Sequence, residues 1–274
     1  MNATIVSKLS CPICKSAMQM DTDGKVCRCN GARTHCYDVA RSGYLNLTLP
    51  GGGEGDSKAA VQARKSFLGA GYYAPLCDVL DEMLSSCKAK SVLDAGSGEG
   101  YYTNRLASGR DVLGVDLSRA GVDAAAKYAK QTGSGAAFAV GSIFSLPVAD
   151  ESFDALINLF APCAESEFLR VLKPMGNLLV VGAGERHLFG LKEILYENPY
   201  LNPGRADLPT DMKQIDRRRL TYRIEVEGRE QIEALFSMTP YYWRTSESDR
   251  AKLEAIDRLK TEVDFDIFLY RKGQ

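Results

Sequence analysis

Residues 91–102 constrain the fold of this chain more than any other stretch of its sequence. They begin as an apolar strand, break into the glycine-rich turn Gly96-x-Gly98-x-Gly100, and continue as a helix. A second apolar strand follows closely and ends at Asp116. Glycines let backbone N–H groups approach a ligand closely, and an acid that ends the neighbouring strand can bind both ribose hydroxyls. The pairing therefore predicts a site for a nucleotide-like cofactor.

Strands and helices alternate around this turn. The predicted strands are 91–95, 111–116, 136–140, 155–159, 177–182, 220–226 and 265–271. The predicted helices are 57–68, with Ser57 as its cap, 74–87, 101–107, 120–130, 229–238 and 246–261. Alternation of this kind is typical of a parallel sheet with helices on both faces, and the last two strands suit a closing antiparallel pair. We predict an α/β fold with a Rossmann-like sheet of seven strands.

The composition favours a cytoplasmic protein without a membrane partner. No apolar run approaches the roughly 20 residues that span a bilayer, and no basic segment followed by an apolar one opens the sequence. The chain has 274 residues, with 34 Lys and Arg against 35 Asp and Glu, which gives a net charge of −1. Binding to nucleic acid must therefore come from local basic patches.

The cysteines are concentrated near the start of the chain, where five of the eight lie between Cys11 and Cys36. In a cytosolic protein such clustering favours metal ligands over disulfides. Cys11-Pro-Ile-Cys14 has the form of a zinc knuckle, and a turn at 21–24 separates two short strands, as in the hairpin of a zinc ribbon. A unit this small has too little core to fold unaided and usually needs a metal.

The second half of this metal site must come from Cys27, Cys29, His35 and Cys36, because four tetrahedral ligands close a structural zinc site. We favour Cys29 and His35, so that the predicted ligands are Cys11, Cys14, Cys29 and His35. A ligand at Cys29 leaves residues 26–27 to complete the returning strand. Cys27 is the first alternative.

The glycine turn and the knuckle together resemble a known family. Asp94 completes the pattern Asp-x-Gly-x-Gly-x-Gly, which resembles motif I of the class I S-adenosylmethionine (SAM) methyltransferases. Nearly the whole chain resembles the bacterial 23S rRNA (guanine-N1)-methyltransferases, which include relatives that confer macrolide resistance. The segments that carry this resemblance are 11–14, 35–38, 43–47, 63–68, 71–73, 98–103, 160–163, 186–188 and 238–240. One departure is the gap from Cys29 to His35, which is longer than the shortest family spacing.

The resemblance implies a fold, a reaction and its partners. The fold is a class I SAM-methyltransferase sheet with a small N-terminal zinc ribbon, and the cofactors are SAM and Zn²⁺. The reaction is methylation of N1 of a guanine in a 23S rRNA hairpin. The expected regions are a zinc-ribbon RNA-recognition domain at 1–48, a linker with a helix at 49–72 and the methyltransferase domain at 73–274. The linker contains a glycine-rich break at 50–55, and a homodimer is a further expectation.

The resemblance also implies which residues bind SAM. They are Tyr73, Asp94, Gly96, Gly98, Glu99, Gly100, Asp116, Ser142 and His187. Ser142 stands where many class I enzymes place an acid against the adenine amine, so it is a weaker partner. His187 follows the fifth strand of the methyltransferase sheet, at the edge where such sheets bind ligands. Ordinary packing is the alternative for Tyr73 and His187, and a solvent-facing strand end is the alternative for Asp116.

The acceptor pocket is expected at Phe160-Ala-Pro-Cys163, which follows the fourth strand of that sheet. Cys163 is a pocket residue rather than a nucleophile in this interpretation, because guanine N1 needs no covalent activation. No catalytic residue is assigned. Asp207, Asp211 and Asp216 are candidates for the general base, and their spacing does not select one.

Several basic residues are candidate phosphate contacts: Arg33, Lys58, Arg64, Lys65 and Arg217–Arg219. Because those on the linker helix are distant in sequence from the glycine turn, we expect their removal to leave SAM affinity unchanged. Two rival functions remain, a methyltransferase for a small quinone-like acceptor and a non-catalytic RNA-binding protein with a relict SAM pocket. The zinc ribbon disfavours the small-molecule methyltransferase. The intact glycine turn with Asp116 disfavours the non-catalytic RNA-binding protein.

Overall fold

The computed structural model describes residues 1–49, 51, 55–205 and 207–274. Most of the predicted glycine-rich break at 50–55 thus lies outside the described residues. The helices are α1 (Ala3–Val6), α2 (Lys58–Gly69), α3 (Ala74–Ser86), α4 (Tyr101–Leu106), α5 (Arg119–Thr132), α6 (Glu165–Val171), α7 (Phe189–Leu195), α8 (Arg229–Ser237) and α9 (Glu247–Glu254). The first six strands are β1 (Met18–Met20), β2 (Val26–Cys29), β3 (Cys36–Asp38), β4 (Leu45–Asn46), β5 (Ser91–Ala95) and β6 (Asp111–Asp116). The others are β7 (Ala137–Val140), β8 (Phe153–Leu159), β9 (Leu172–Ala183), β10 (Lys213–Glu227) and β11 (Arg258–Arg271).

The larger of two sheets has the order β10-β11-β9-β8-β5-β6-β7-β4. Its strands from β9 to β4 in this order run parallel, and β11 and β10 close it as an antiparallel pair. The α/β fold and the antiparallel closure are confirmed. The predicted number of seven strands is wrong for the described chain, which has eight in this sheet. Leu45 and Asn46 add a short parallel strand beside Ala139 and Val140.

The sheet is buried on both faces, which explains why its central strands read as unbroken apolar runs. All five residues of β5 are buried. One face packs against α2, α3 and α8 through residues such as Phe67, Leu76 and Phe236. The opposite face packs against the start of the chain, including Ile5 and Leu9. The cysteine-rich segment is therefore anchored to the sheet by a shared apolar core.

The smaller sheet consists of β1, β2 and β3 in antiparallel order. Its first turn is closed by Asp21, whose Oδ1 accepts hydrogen bonds from the backbone N–H groups of Lys25 (2.9 Å) and Val26 (3.2 Å). Gly24 has φ = +68° in this turn, a conformation that favours glycine. The predicted ribbon hairpin is present.

The predicted helix at 246–261 is wrong over its second half. Helix α9 ends at Glu254, and β11 begins at Arg258. Buried Leu259, Thr261 and Val263 alternate with more exposed residues, which is the period of a strand rather than of a helix. The pairing partner β10 likewise begins at Lys213, seven residues before the predicted position. No helix in the described part of the chain is long and apolar enough to cross a membrane.

Candidate metal and cofactor sites

The four predicted metal ligands meet at one point. The ligand atoms of Cys11, Cys14, Cys29 and His35 all lie within 4.8 Å of one another. The His35 Nδ1 atom is 3.5 Å from the Cys11 sulfur and 3.4 Å from the Cys29 sulfur, and the Cys14 and Cys29 sulfurs are 3.6 Å apart. A tetrahedral zinc ion separates its sulfur and nitrogen ligands by about 3.5–3.8 Å. The donor set and its spacing therefore fit Zn²⁺.

The two surplus cysteines of this segment lie outside the cluster. Cys27 and Cys29 are both buried and share a face of β2, but Cys29 is the one at the end of the strand, beside the knuckle. Cys27 packs in the apolar core that the ribbon shares with the larger sheet, and burial raises the pKa of its thiol to about 11. Cys36 is exposed. The geometry thus favours Cys29 over its first alternative.

The glycine turn lies at the carboxyl ends of β5 and β6, and hydrogen bonds to Asp116 hold it in place. The carboxylate accepts hydrogen bonds from the backbone N–H of Gly98 at 2.9 Å and of Ser118 at 2.7 Å. Gly96 has φ = +93°, and a Cβ atom there would lie 2.6 Å from the Ala161 Cβ, so no side chain is tolerated. Asp116 still has free lone pairs, which suits two ribose hydroxyls.

Three buried polar groups around the turn bear on cofactor binding. Thr103 donates a 2.6 Å hydrogen bond to Oδ2 of Asp94, but Asp94 Oδ1 and Ser97 Oγ have no hydrogen-bond partner among the described residues. Burial raises the pKa of Asp94 to about 7 and that of Glu99 to about 6. Buried polar atoms are normally paired, so these groups fit a polar ligand with a positive charge, such as the methionine portion of SAM.

Tyr73 and His187 come together although 114 positions separate them. The Tyr73 hydroxyl is 3.2 Å from His187 Nε2, and His187 Nδ1 accepts a hydrogen bond from the backbone N–H of Asp264 at 3.2 Å. Burial lowers the pKa of His187 to about 4, so the ring is neutral at pH 7. Because Nδ1 accepts this hydrogen bond, the proton of the neutral ring is on Nε2, which donates a hydrogen bond to the Tyr73 hydroxyl oxygen. Phe265 packs against both rings.

The predicted acceptor segment follows β8 at the same edge of the sheet. Phe160 has φ = +54° and is 47% exposed, with its ring 6.5 Å from the His187 ring. Fully buried Asn158 anchors the segment, since its Nδ2 donates to the carbonyl oxygens of Ala95 and Pro162. Cys163 is partly buried, which raises its thiol pKa to about 11. A neutral thiol agrees with a pocket role for Cys163.

Of the three candidate bases, only Asp207 contacts the acceptor segment. Its carboxylate accepts a 2.9 Å hydrogen bond from the Cys163 backbone N–H. Burial opposes ionisation, but the Arg205 guanidinium, 2.8 Å away, lowers the pKa of Asp207 below its ordinary value. Asp211 uses its backbone N–H to bind Glu165, and Asp216 pairs with Arg218. The structure therefore offers no aspartate of this set as an unpaired base beside the acceptor.

Ser142 follows β7 directly, next to the strand that ends at Asp116. Its hydroxyl accepts a 3.2 Å hydrogen bond from the Phe144 backbone N–H, which fixes the loop beyond the strand. The side chain is partly exposed. It lies at the sheet edge where the sequence places the adenine ring, and its role there stays a prediction.

The basic candidates separate into exposed and paired groups. Arg33, Lys58 and Lys65 are exposed. The run at 217–219 lies on β10, where alternation sends successive side chains to opposite faces, and all three guanidiniums are paired with carboxylates. Arg64 does not lie away from the glycine turn, since its Nη1 is 3.4 Å from Glu99, and the expectation that its removal leaves SAM affinity unchanged loses its premise. Sequence distance from the turn was a poor guide there, because α2 folds back across it.

Sequence reasoning missed two further residues of this edge. Arg205 donates hydrogen bonds to the carbonyl oxygens of Val181 and Ala161 and to Asn158 Oδ1, at 2.7–2.8 Å. It thereby joins the ends of β8 and β9. Neither Arg205 nor Asn158 belongs to a local motif, so no sequence signal marks them.

Comparisons with known proteins agree with this geometry. A zinc-ribbon family model described as "RlmA, N-terminal" matches residues 9–51, and one described as "Methyltransferase domain" matches residues 86–225. A protein of Bacillus subtilis strain 168, provisionally named a 23S rRNA (guanine-N1)-methyltransferase, is 30% identical over 97% of this chain and 98% of the relative. A Micromonospora griseorubida protein with the same provisional name is 30% identical over 93% and 92%. The 23S rRNA (guanine(748)-N(1))-methyltransferase of Streptomyces fradiae is 32% identical over 71% and 70%.

Proposed function

This chain belongs to the 23S rRNA (guanine-N1)-methyltransferase family, and we propose that it methylates N1 of a guanine in a 23S rRNA hairpin, with SAM as methyl donor. The observation that carries the proposal is the presence in one chain of a cofactor turn and a Cys₃His cluster, over both of which the family similarity extends. Such a protein works in the cytoplasm. The boundaries at 48 and 72 and the homodimer stay predictions.

SAM supplies, when bound, an electrophilic methyl group on a sulfonium. In this proposal the Asp116 carboxylate accepts hydrogen bonds from both ribose hydroxyls. It uses the lone pairs that are not already occupied by the backbone N–H groups of Gly98 and Ser118. Asp94 Oδ1, which lacks a hydrogen-bond partner among the described residues, accepts a hydrogen bond from the ammonium group of SAM. Gly96, Gly98 and Gly100 keep the backbone of the turn close to the ligand.

Tyr73 serves as a hydrogen-bond donor to the cofactor. Its oxygen accepts a hydrogen bond from the Nε2–H group of neutral His187, so the hydroxyl proton is directed away from the histidine. Burial also raises the pKa of Tyr73 well above its ordinary value, which keeps that proton in place. His187 therefore acts as a positioning residue for Tyr73 in addition to lining the site.

Methyl transfer needs the target base out of its helix and the N1 proton removed. Unstacking the base is the usual solution for enzymes that modify a base, and the half-exposed Phe160 ring offers it a stacking surface. SAM held at the glycine turn would supply the methyl group to guanine N1 and leave without it, and the N1 proton would pass to a base or to water. Alignment of the two reacting atoms supplies a large part of the rate enhancement.

The ribbon is the proposed RNA-recognition unit, and Cys11, Cys14, Cys29 and His35 hold one structural Zn²⁺ in it. Exposed Arg33 belongs to the same unit, and Lys58 and Lys65 are exposed on α2. These cations suit phosphates.

Purified protein incubated with labelled SAM tests the proposal directly. One reaction contains an unmethylated 23S rRNA hairpin, and a parallel reaction contains a quinone precursor. We expect label only in the RNA and on guanine N1. Label in the quinone precursor supports the small-molecule rival instead, whereas RNA binding without label supports the non-catalytic rival.

A further inference from the structure

Arg64 reaches the cofactor turn from outside the region that the methyltransferase family model matches. It lies on α2, which Ser57 caps by accepting a hydrogen bond from the Ala60 backbone N–H. Its Nη1 atom is 3.4 Å from Glu99 Oε2 and would be 3.2 Å from a Cβ atom built on Gly98. The side chain is only 27% exposed. A half-buried guanidinium thus faces the backbone that binds the cofactor.

The charges around this guanidinium are predominantly negative. Arg64 Nη2 pairs with Asp56 at 2.6 Å, and the carboxylates of Glu99 and Asp116 in the turn also attract the guanidinium. Within the described ranges, Arg64 is the cation that pairs with an acid of the turn. SAM carries a sulfonium and an ammonium, which suit carboxylates, and one carboxylate, which does not. The anionic group of the cofactor therefore needs a cation, and Arg64 is placed to supply it.

Arg64 also has donors to spare. A guanidinium has five N–H donors, and among the described residues the side-chain hydrogen bonds of Arg64 are those to Asp56 and Glu99. The Glu99 contact of 3.4 Å is beyond the usual hydrogen-bond range. We propose that Arg64 binds the carboxylate of the methionine portion of SAM, an assignment that rests on the proposed function and adds a cofactor residue from the linker helix.

The neighbouring Lys65 makes a matched control. It lies on the same helix but is exposed, so its removal tests loss of a positive charge without loss of the contact to the turn. Two other roles for Arg64 are an RNA phosphate contact and a simple counter-charge for Glu99. Neither role distinguishes between cofactor analogues with and without a carboxylate.

Calorimetry with three ligands separates these roles. SAM and S-adenosylhomocysteine both contain the carboxylate, whereas decarboxylated SAM keeps the ammonium and sulfonium groups and lacks only the carboxylate. We expect Arg64→Ala to weaken binding of the first two by about 10- to 100-fold, the usual range for a lost hydrogen bond to a charged group. Binding of decarboxylated SAM should stay within a factor of about 3 of wild type. Arg64→Lys should give a smaller loss with the same selectivity, and Lys65→Ala none.

Equal losses for all three ligands in Arg64→Ala and Arg64→Lys overturn the assignment, because they indicate damage to the turn rather than a lost carboxylate contact. Unchanged affinity for all three overturns it as well. A wild-type protein that binds none of the ligands contradicts the proposed function itself. The two failures are therefore distinguishable by the behaviour of the wild type.

Discussion

The ribbon and the glycine turn are both marked by short sequence motifs, yet they are assembled differently. The ribbon brings Cys11, Cys14, Cys29 and His35 together within 25 residues, and its strands are three or four residues long. The turn sits on an eight-stranded sheet, and residues from distant segments lie against it, among them Arg64 and Ala161. The first region needs an ion to hold its shape, whereas the second is preorganised by its core.

This difference decides how each region responds to a change. A site whose ligands are also its scaffold loses structure when one ligand is removed. A site built on a buried sheet loses affinity instead and keeps its fold. Four kinds of measurement test this contrast.

Removal of a metal ligand should have the largest effect. Structural zinc contributes on the order of 10 kcal/mol to folding of small zinc modules. We expect Cys11→Ser or Cys14→Ser to lose the metal and unfold residues 9–37, while the large sheet stays folded. Metal analysis should give one zinc per wild-type chain, and amide exchange should report the local unfolding.

Two further variants test the choice of the third ligand. Cys29→Ala should lose zinc, whereas Cys27→Ala should keep it, because the Cys27 sulfur lies outside the cluster. Absence of zinc from the wild type, or the reverse behaviour of these two variants, contradicts the assignment.

The buried histidine should make the sheet region sensitive to acid. The pKa of His187 is lowered to about 4 by burial, from the ordinary 6.5. Above pH 6.5 both the folded and the unfolded states are neutral at this position, so no penalty exists. As the pH falls from 6.5 to 4, only the unfolded state takes up the proton, and the free energy of unfolding decreases by about 3 kcal/mol.

Urea unfolding at several pH values measures this dependence. The His187→Gln variant lacks the titrating group and should show a shallower decrease than wild type between pH 6.5 and 4. Parallel curves for the two proteins contradict a neutral, buried His187.

Loss of Asp116, the proposed ribose partner, should have a smaller effect and spare the fold. Asp116→Ala removes a partly buried carboxylate that pairs with two backbone amides. We expect SAM binding to weaken by about 1–3 kcal/mol, with the melting of the sheet nearly unchanged. Glu99→Ala should fall in the same range. Unchanged SAM affinity in calorimetry of Asp116→Ala means that the ribose lies elsewhere.

The smallest effect is expected at the exposed basic surface. Neutralising Lys58 or Lys65 should weaken RNA binding at low salt and reduce the slope of log affinity against log salt by about one unit per lost phosphate contact. SAM affinity should not change, in contrast to Arg64→Ala. A salt titration with a 23S rRNA hairpin gives the slope, and slopes equal to wild type assign these lysines to solvent alone.

The same contrast explains how much could be predicted from the sequence. Short-range spacing identified the knuckle, the glycine turn and Asp116, because each of these motifs is completed within a few residues. It assigned Arg64 to a phosphate-binding surface and did not identify Arg205, because the positions of both depend on how α2 and the segment after α7 fold over the sheet. Asn158 lies within β8 itself and was missed because it belongs to no local motif. It also misjudged the strand count, since the two residues of β4 are too few to form a recognisable pattern.

The central claim is that this chain methylates N1 of a guanine in 23S rRNA, and comparison of cells with and without its gene tests it most directly. Mass mapping of 23S rRNA fragments measures the methyl group and its position at once. We predict one hairpin guanine that carries an N1 methyl group in the first strain, lacks it in the second, and regains it when the gene is restored. Identical 23S rRNA from the two strains contradicts the claim.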